Sequence, residues 1–200
     1  MLTILTRTLL AALVLSAVGW QLWLHIGAGF STLNFFSYFT NLSNLFAAFV
    51  LLFSVLSRSA HAGAWRDALR YVSAVNMALV GLVFAVLLRN VDLGGLLPWV
   101  NFILHYLMPV AVVLDWLLRP PAAKLDAGLI ALAVVFPIAY LVYVLWRGAS
   151  VGWYPYPFLN PANVGGYGAV AIYGLGIAAT FLFGGWALWA LGNRLQRSTS

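Results

Sequence analysis

The sequence predicts an all-α fold: a polytopic membrane protein with six transmembrane helices and both termini cytoplasmic. Three observations carry the prediction. The composition suits a bilayer, six apolar runs have spanning length, and the basic residues alternate between the two sides of those runs. Of 200 residues, 64% are hydrophobic and 7% charged, and mean hydropathy is +0.98. A soluble domain carries roughly a quarter charged residues. The length fits a single domain over residues 1–200, because six spans use roughly 120 residues in hydrocarbon.

The apolar runs fall near 8–26, 36–57, 71–88, 99–118, 127–146 and 167–191. Each is long enough to cross ~30 Å of hydrocarbon at 1.5 Å per residue. Only helices satisfy their backbone groups within such a segment, whereas a barrel would show short alternating strands. The first run follows Arg7, a basic start that a signal peptide would share. It is longer than a signal h-region and continues into Trp20 and Trp23 without a convincing small-x-small cleavage site, so it reads as a membrane helix.

The second run opens on "SYFTNLSNLF". On a helix, Ser37, Thr40, Asn41 and Asn44 fall at i, i+3, i+4 and i+7, a single polar stripe that Ala47 and Ala48 continue with small residues. Small residues let a neighbouring helix approach closely. The third run holds Asn76, to which no role is assigned. Gly94–Gly95 and Pro98 mark the turn into the fourth run. That run carries Asn101, His105, Pro109 and Asp115. The connection over 147–166 contains "GWYPYPFLNP", whose prolines exclude regular helix. Its aromatics suit either an interfacial anchor or a rigid lid over a site on that side. The sixth run precedes a short tail expected to be frayed.

Arg7, Arg58, Arg66, Arg70, Arg119, Lys124, Arg194 and Arg197 share one side of this arrangement, and Arg89 and Arg147 the other. The positive-inside rule therefore places both termini in the cytoplasm. Because these residues are scattered through short loops and tails, the net charge of +6 reads as topology and not as a nucleic-acid footprint. Cysteine is absent, which excludes disulfides, thiol nucleophiles and thiolate metal sites.

Ionisable groups inside a span are functional candidates. His105 lies about six residues, or ~9 Å, into the fourth span from its outer end. Thr40 lies about four residues into the second span from the same side, so the two reach similar depth. A hydroxyl beside a neutral imidazole has the parts of an activated nucleophile. The competing reading is that the polar stripe only joins helices by hydrogen bonds.

Asn101 shares a face with His105 and is placed to orient the ring or contact a ligand. Asn41, Asn44 and Asn101 are the candidate amide donors to an oxyanion or substrate. Pro109 lacks an N–H and is expected to bend the helix and free the carbonyl of His105. Asp115 is expected to pair with Arg119 at i+4. His25 sits at the outer end of span one, and His61 in a cytoplasmic loop, where it is expected to be solvated.

A transporter or binding protein for a small amphiphile is disfavoured by the absence of an internal repeat. A haem or quinone protein would use His25 and His105 as axial ligands. A three-ligand zinc site lacks candidates. No cofactor and no metal are expected.

"YFTNLSNL", "NFILHYLMPVAVVLDWLL" and "YPYPFLNP", in that order, resemble the bacterial six-span membrane protein family known as Pr6Pr. That family is more remotely similar to the eukaryotic androgen-induced-gene and androgen-dependent-regulator proteins. These are membrane threonine hydrolases that cleave fatty acid esters of hydroxy fatty acids. The resemblance implies a nucleophile at Thr40, following Tyr38 and Phe39, and a catalytic histidine at His105 with Asp115 downstream. It also implies a lipid ester as substrate, membrane lipids as surroundings, and a multi-pass place in the bacterial plasma membrane. The chain departs from the eukaryotic pattern in its "NLSN" and in carrying Asp115 where a glutamate is expected.

Overall fold

The computed structural model describes residues 1–57 and 63–196. Arg58, His61, Arg197 and the C-terminal tail, on which expectations were placed, lie outside the described residues. Among the described residues, six helices are long and apolar enough to cross a membrane. In chain order the helices are α1 (Leu2–Gly27), α2 (Thr32–Phe36), α3 (Phe39–Leu56) and α4 (Gly63–Val83), which runs on through a π turn at Phe84–Leu88. Then come α5 (Pro98–Phe102), a π turn at Ile103–Leu107, α6 (Met108–Leu118), α7 (Gly128–Val151), α8 (Pro161–Val164) and α9 (Tyr167–Gln196).

α4 is the centre of the bundle and packs against α3, α6, α7 and α9, while α1 packs on α3. Small residues allow the close contacts. Ala47 and Ala48 of α3 and Ala11, Val14 and Ala17 of α1 are all fully buried. A Cβ at Gly81 of α4 would stand 3.0 Å from Pro109 Cβ, so α4 and α6 meet at a glycine. Buried ring donors hold α9 in place: Tyr71 Oη donates to Gly185 O at 2.9 Å, and Trp116 Nε1 to Leu188 O at 3.0 Å. In α7 only Ala133, Val144 and Gly148 are buried, as suits an apolar helix with a broad face toward lipid.

The third span begins earlier than the apolar run at 71, because Asp67 and Arg70 enter the helix already paired. Arg70 Nη1 lies 3.2 Å from Asp67 Oδ1. Both belong to a cluster at the bundle end that carries the two termini. There Arg7 grips Asp115 through two bonds of 2.9 Å, and Arg119 and Arg70 approach the same carboxylate at 3.0 and 3.3 Å. Asp115 thus has the expected partner Arg119 and two more from other helices. A buried carboxylate needs such company, since an isolated one is expensive in hydrocarbon.

Candidate active site

The polar stripe is not one continuous helix. α2 ends at Phe36, Tyr38 is extended, and α3 starts at Phe39. Ser37 therefore lies in the break, where its Oγ donates to Leu33 O at 2.7 Å and meets Tyr143 Oη at 2.8 Å. The break puts Thr40 in the first turn of α3, beside the N–H groups that a helix start leaves without intrahelical partners. Two tyrosine hydroxyls take them: Phe39 N donates to Tyr140 Oη at 3.2 Å and Thr40 N to Tyr156 Oη at 3.3 Å.

Thr40 Oγ1 lies 3.3 Å from His105 Nε2, and both residues are buried. His105 Nδ1 is 2.7 Å from Asn101 Oδ1. That oxygen can only accept, so it holds the ring proton on Nδ1 and leaves the Nε2 lone pair facing the threonine hydroxyl. The imidazole also stacks on Phe84, with centroids 4.2 Å apart and planes at 23°. Phe84 and His105 both occupy π turns, a geometry that recurs at functional sites.

The π turn before Pro109 affects a further carbonyl. In the π turn Met108 N bonds Ile103 O, so the carbonyl of Leu104 has neither its α-helical donor nor, at Pro109, a π-helical one. Asn44 Nδ2 reaches across from α3 and donates to Leu104 O at 3.2 Å, and also to Thr40 O at 2.9 Å. Both its amide hydrogens are thereby used, and Asn44 ties the nucleophile's helix to the histidine's helix. Asn41 Nδ2 donates to Phe35 O at 2.8 Å and fixes the α2–α3 break. Asn101 turns its oxygen to His105. The three asparagines thus position the pair.

Tyr156, from the aromatic–proline connection, was not singled out by the sequence. Its hydroxyl is 3.4 Å from Thr40 Oγ1 and its ring stacks on Phe158. With the Thr40 proton directed to His105, the Tyr156 O–H becomes the donor in that contact. Burial pushes its phenol above the ordinary value, so it keeps this proton. The motif that bears it is seated by Gly148, where a Cβ would overlap the Tyr154 ring.

A cavity of about 670 Å³ opens on Thr40 and His105 from the end of the bundle opposite the termini. His25, Asp92, Asn34, Asn160 and Tyr156 are among its lining residues. His25 is turned away from the pair, its Nε2 3.0 Å from Ser31 O. Gln21 braces one wall, donating to Gly95 O at 2.9 Å and accepting from Leu97 N at 3.2 Å.

Fold and site together define a six-span membrane protein with a buried threonine–histidine pair at one end. A family model described as FAR-17a/AIG1-like protein matches residues 80–189, which include His105, Asp115 and Tyr156 but not Thr40. The match covers more than half of the chain, which belongs to the FAR-17a/AIG1-like family. No curated protein and no solved structure matches it.

Proposed function

We propose that this protein is an intramembrane hydrolase that cleaves a lipid ester through a Thr40 acyl-enzyme. The observation that carries the proposal is the directed chain Tyr156–Thr40–His105–Asn101, in which each group has the donor or acceptor its neighbour needs. Thr40 Oγ attacks the ester carbonyl carbon while its proton passes to His105 Nε2. The carbonyl electrons collect on oxygen, where the Tyr156 O–H is the nearest side-chain donor to the attacking Oγ. Collapse expels the alkoxide, which takes the proton from His105 and leaves as the alcohol. Water then attacks the acyl-threonine with His105 again as base, releasing the fatty acid and restoring the hydroxyl. The contacts of 3.3 and 3.4 Å are long, as catalytic hydrogen bonds often are before substrate tightens them.

The family supports a lipid ester of the hydroxy fatty acid type, and the arginine distribution supports cytoplasmic termini. The site then opens away from the cytoplasm. The test is labelling with a lipid-like fluorophosphonate, read by intact mass on wild type, Thr40→Ala and His105→Ala. A single adduct on wild type, mapped to Thr40 and lost in both variants, is the expected result. Folded wild type that neither labels nor hydrolyses any ester would overturn the reading in favour of an amphiphile carrier.

A further inference from the structure

A second cavity meets the first at the nucleophile. It is a crevice of about 100 Å³ between α4, α7 and α9. Thr40, Leu88 and Tyr156 line both spaces, so the reacting hydroxyl stands in the partition between them. Their chemistry differs, because the larger space mixes polar side chains with apolar ones such as Leu24, Phe30 and Val91. Apart from Thr40, Tyr140 and Tyr156, every residue lining the crevice is apolar or glycine. The larger space is lined by His25, Asp92, Gln21 and several asparagines. Ile138 and Ala178, at the crevice mouth, are exposed on the flank that meets lipid.

An ester has two arms, and the site distinguishes them. The leaving oxygen must receive its proton from His105 Nε2, so the alcohol arm lies on the imidazole's side of Thr40. His105 lines the polar cavity and not the crevice. The acyl arm must then lie on the other side. Resting on the hydrolase reading, we infer that the crevice between α7 and α9 is the acyl-chain site, entered laterally from the membrane, and that the polar cavity receives the alcohol arm. Pro137 and Gly174 give the crevice its room. Pro137 has no N–H to continue the α7 ladder, and Gly174 faces Leu141 with no side chain of its own.

The test uses the whole protein in detergent and a palmitic acid carrying a mid-chain diazirine, a mimic of the released acid. On illumination the expected crosslinks fall within 134–141 of α7 and 174–181 of α9. Unlabelled palmitate should compete for them, and Ala178→Phe should suppress them. Crosslinks at Leu24, Phe30 or Val91 in the polar cavity, or crevice labelling that palmitate does not compete, would overturn the assignment.

Turnover gives a second reading. Ala178→Phe and Gly174→Leu should lower the ratio of long-chain to acetyl ester hydrolysis by about 10- to 100-fold. Val142→Phe, on an exposed face outside the crevice, should leave that ratio unchanged. An unchanged ratio in the crevice variants would count against the site. Competed crosslinks in the crevice with an unreactive Thr40 would keep the acyl site and remove the hydrolase. A labelled Thr40 with crosslinks in the polar cavity would do the reverse.

Discussion

His105 Nδ1 sits 2.7 Å from Asn101 Oδ1, one turn earlier on the same helix face. This bond decides which ring nitrogen faces Thr40, so in the proposed mechanism Asn101 acts by positioning the imidazole. Asn101→Ala is expected to lower kcat by about a hundredfold while KM hardly moves, because tautomer and ring angle are lost and binding is not. Steady-state hydrolysis of a lipid ester checks it. A change confined to KM would mean that Asn101 contacts the ligand instead.

Tyr156→Phe keeps the ring on Phe158 and removes only the hydroxyl. The expected loss is about 10²–10³ in turnover, the usual cost of one oxyanion donor. Fluorophosphonate labelling should slow in parallel, and stability should fall by about 1–3 kcal/mol because the buried Thr40 N–H loses its acceptor. Since burial holds the phenol above its ordinary value, raising the pH to about 9 should not by itself reduce the rate through this group. A variant as fast as wild type would remove Tyr156 from the mechanism.

The Asp115 cluster is structural and predicts a stability effect. Asp115→Ala leaves the buried Arg7 and Arg70 without their shared carboxylate, and should cost about 3–5 kcal/mol. Arg119→Ala removes a partner that is one-third exposed, and should cost no more than about 1 kcal/mol. Thermal unfolding in detergent separates the two. Equal losses would contradict the idea that burial sets the difference.

Gly148 and Gly184 offer a matched pair. A methyl at Gly148 would overlap the Tyr154 ring, forcing the connection that carries Tyr156 to shift. A methyl at Gly184 meets nothing within 4 Å. Gly148→Ala should therefore reduce turnover, whereas Gly184→Ala should keep it and gain about 0.5–1 kcal/mol of helix stability. Comparing activity per folded molecule decides the matter.

The six spans were legible because hydropathy over a helix length depends on composition alone. Thr40 and His105 stood out for a related reason: polar groups are conspicuous in an apolar run. Their partners were harder to read. The π turn leaves Leu104 O without its α-helical donor, and no local pattern announces a register change of one residue. Tyr156 lies in a proline-broken stretch without periodicity, where an aromatic reads equally as an anchor. Arg7 and Arg70 reach Asp115 from other helices, while local spacing offered only Arg119.

The bond between Arg7 and Asp115 spans 108 positions of the chain. A ribosome delivers these residues in order, so Arg7 emerges long before its carboxylate exists. Until then its guanidinium lacks the carboxylate it grips through two bonds in the finished bundle. Only when the fourth span arrives can the guanidinium be drawn in and α1 settle against α3. Two residues made far apart in synthesis thus clasp the first helix to the fourth span in the finished bundle.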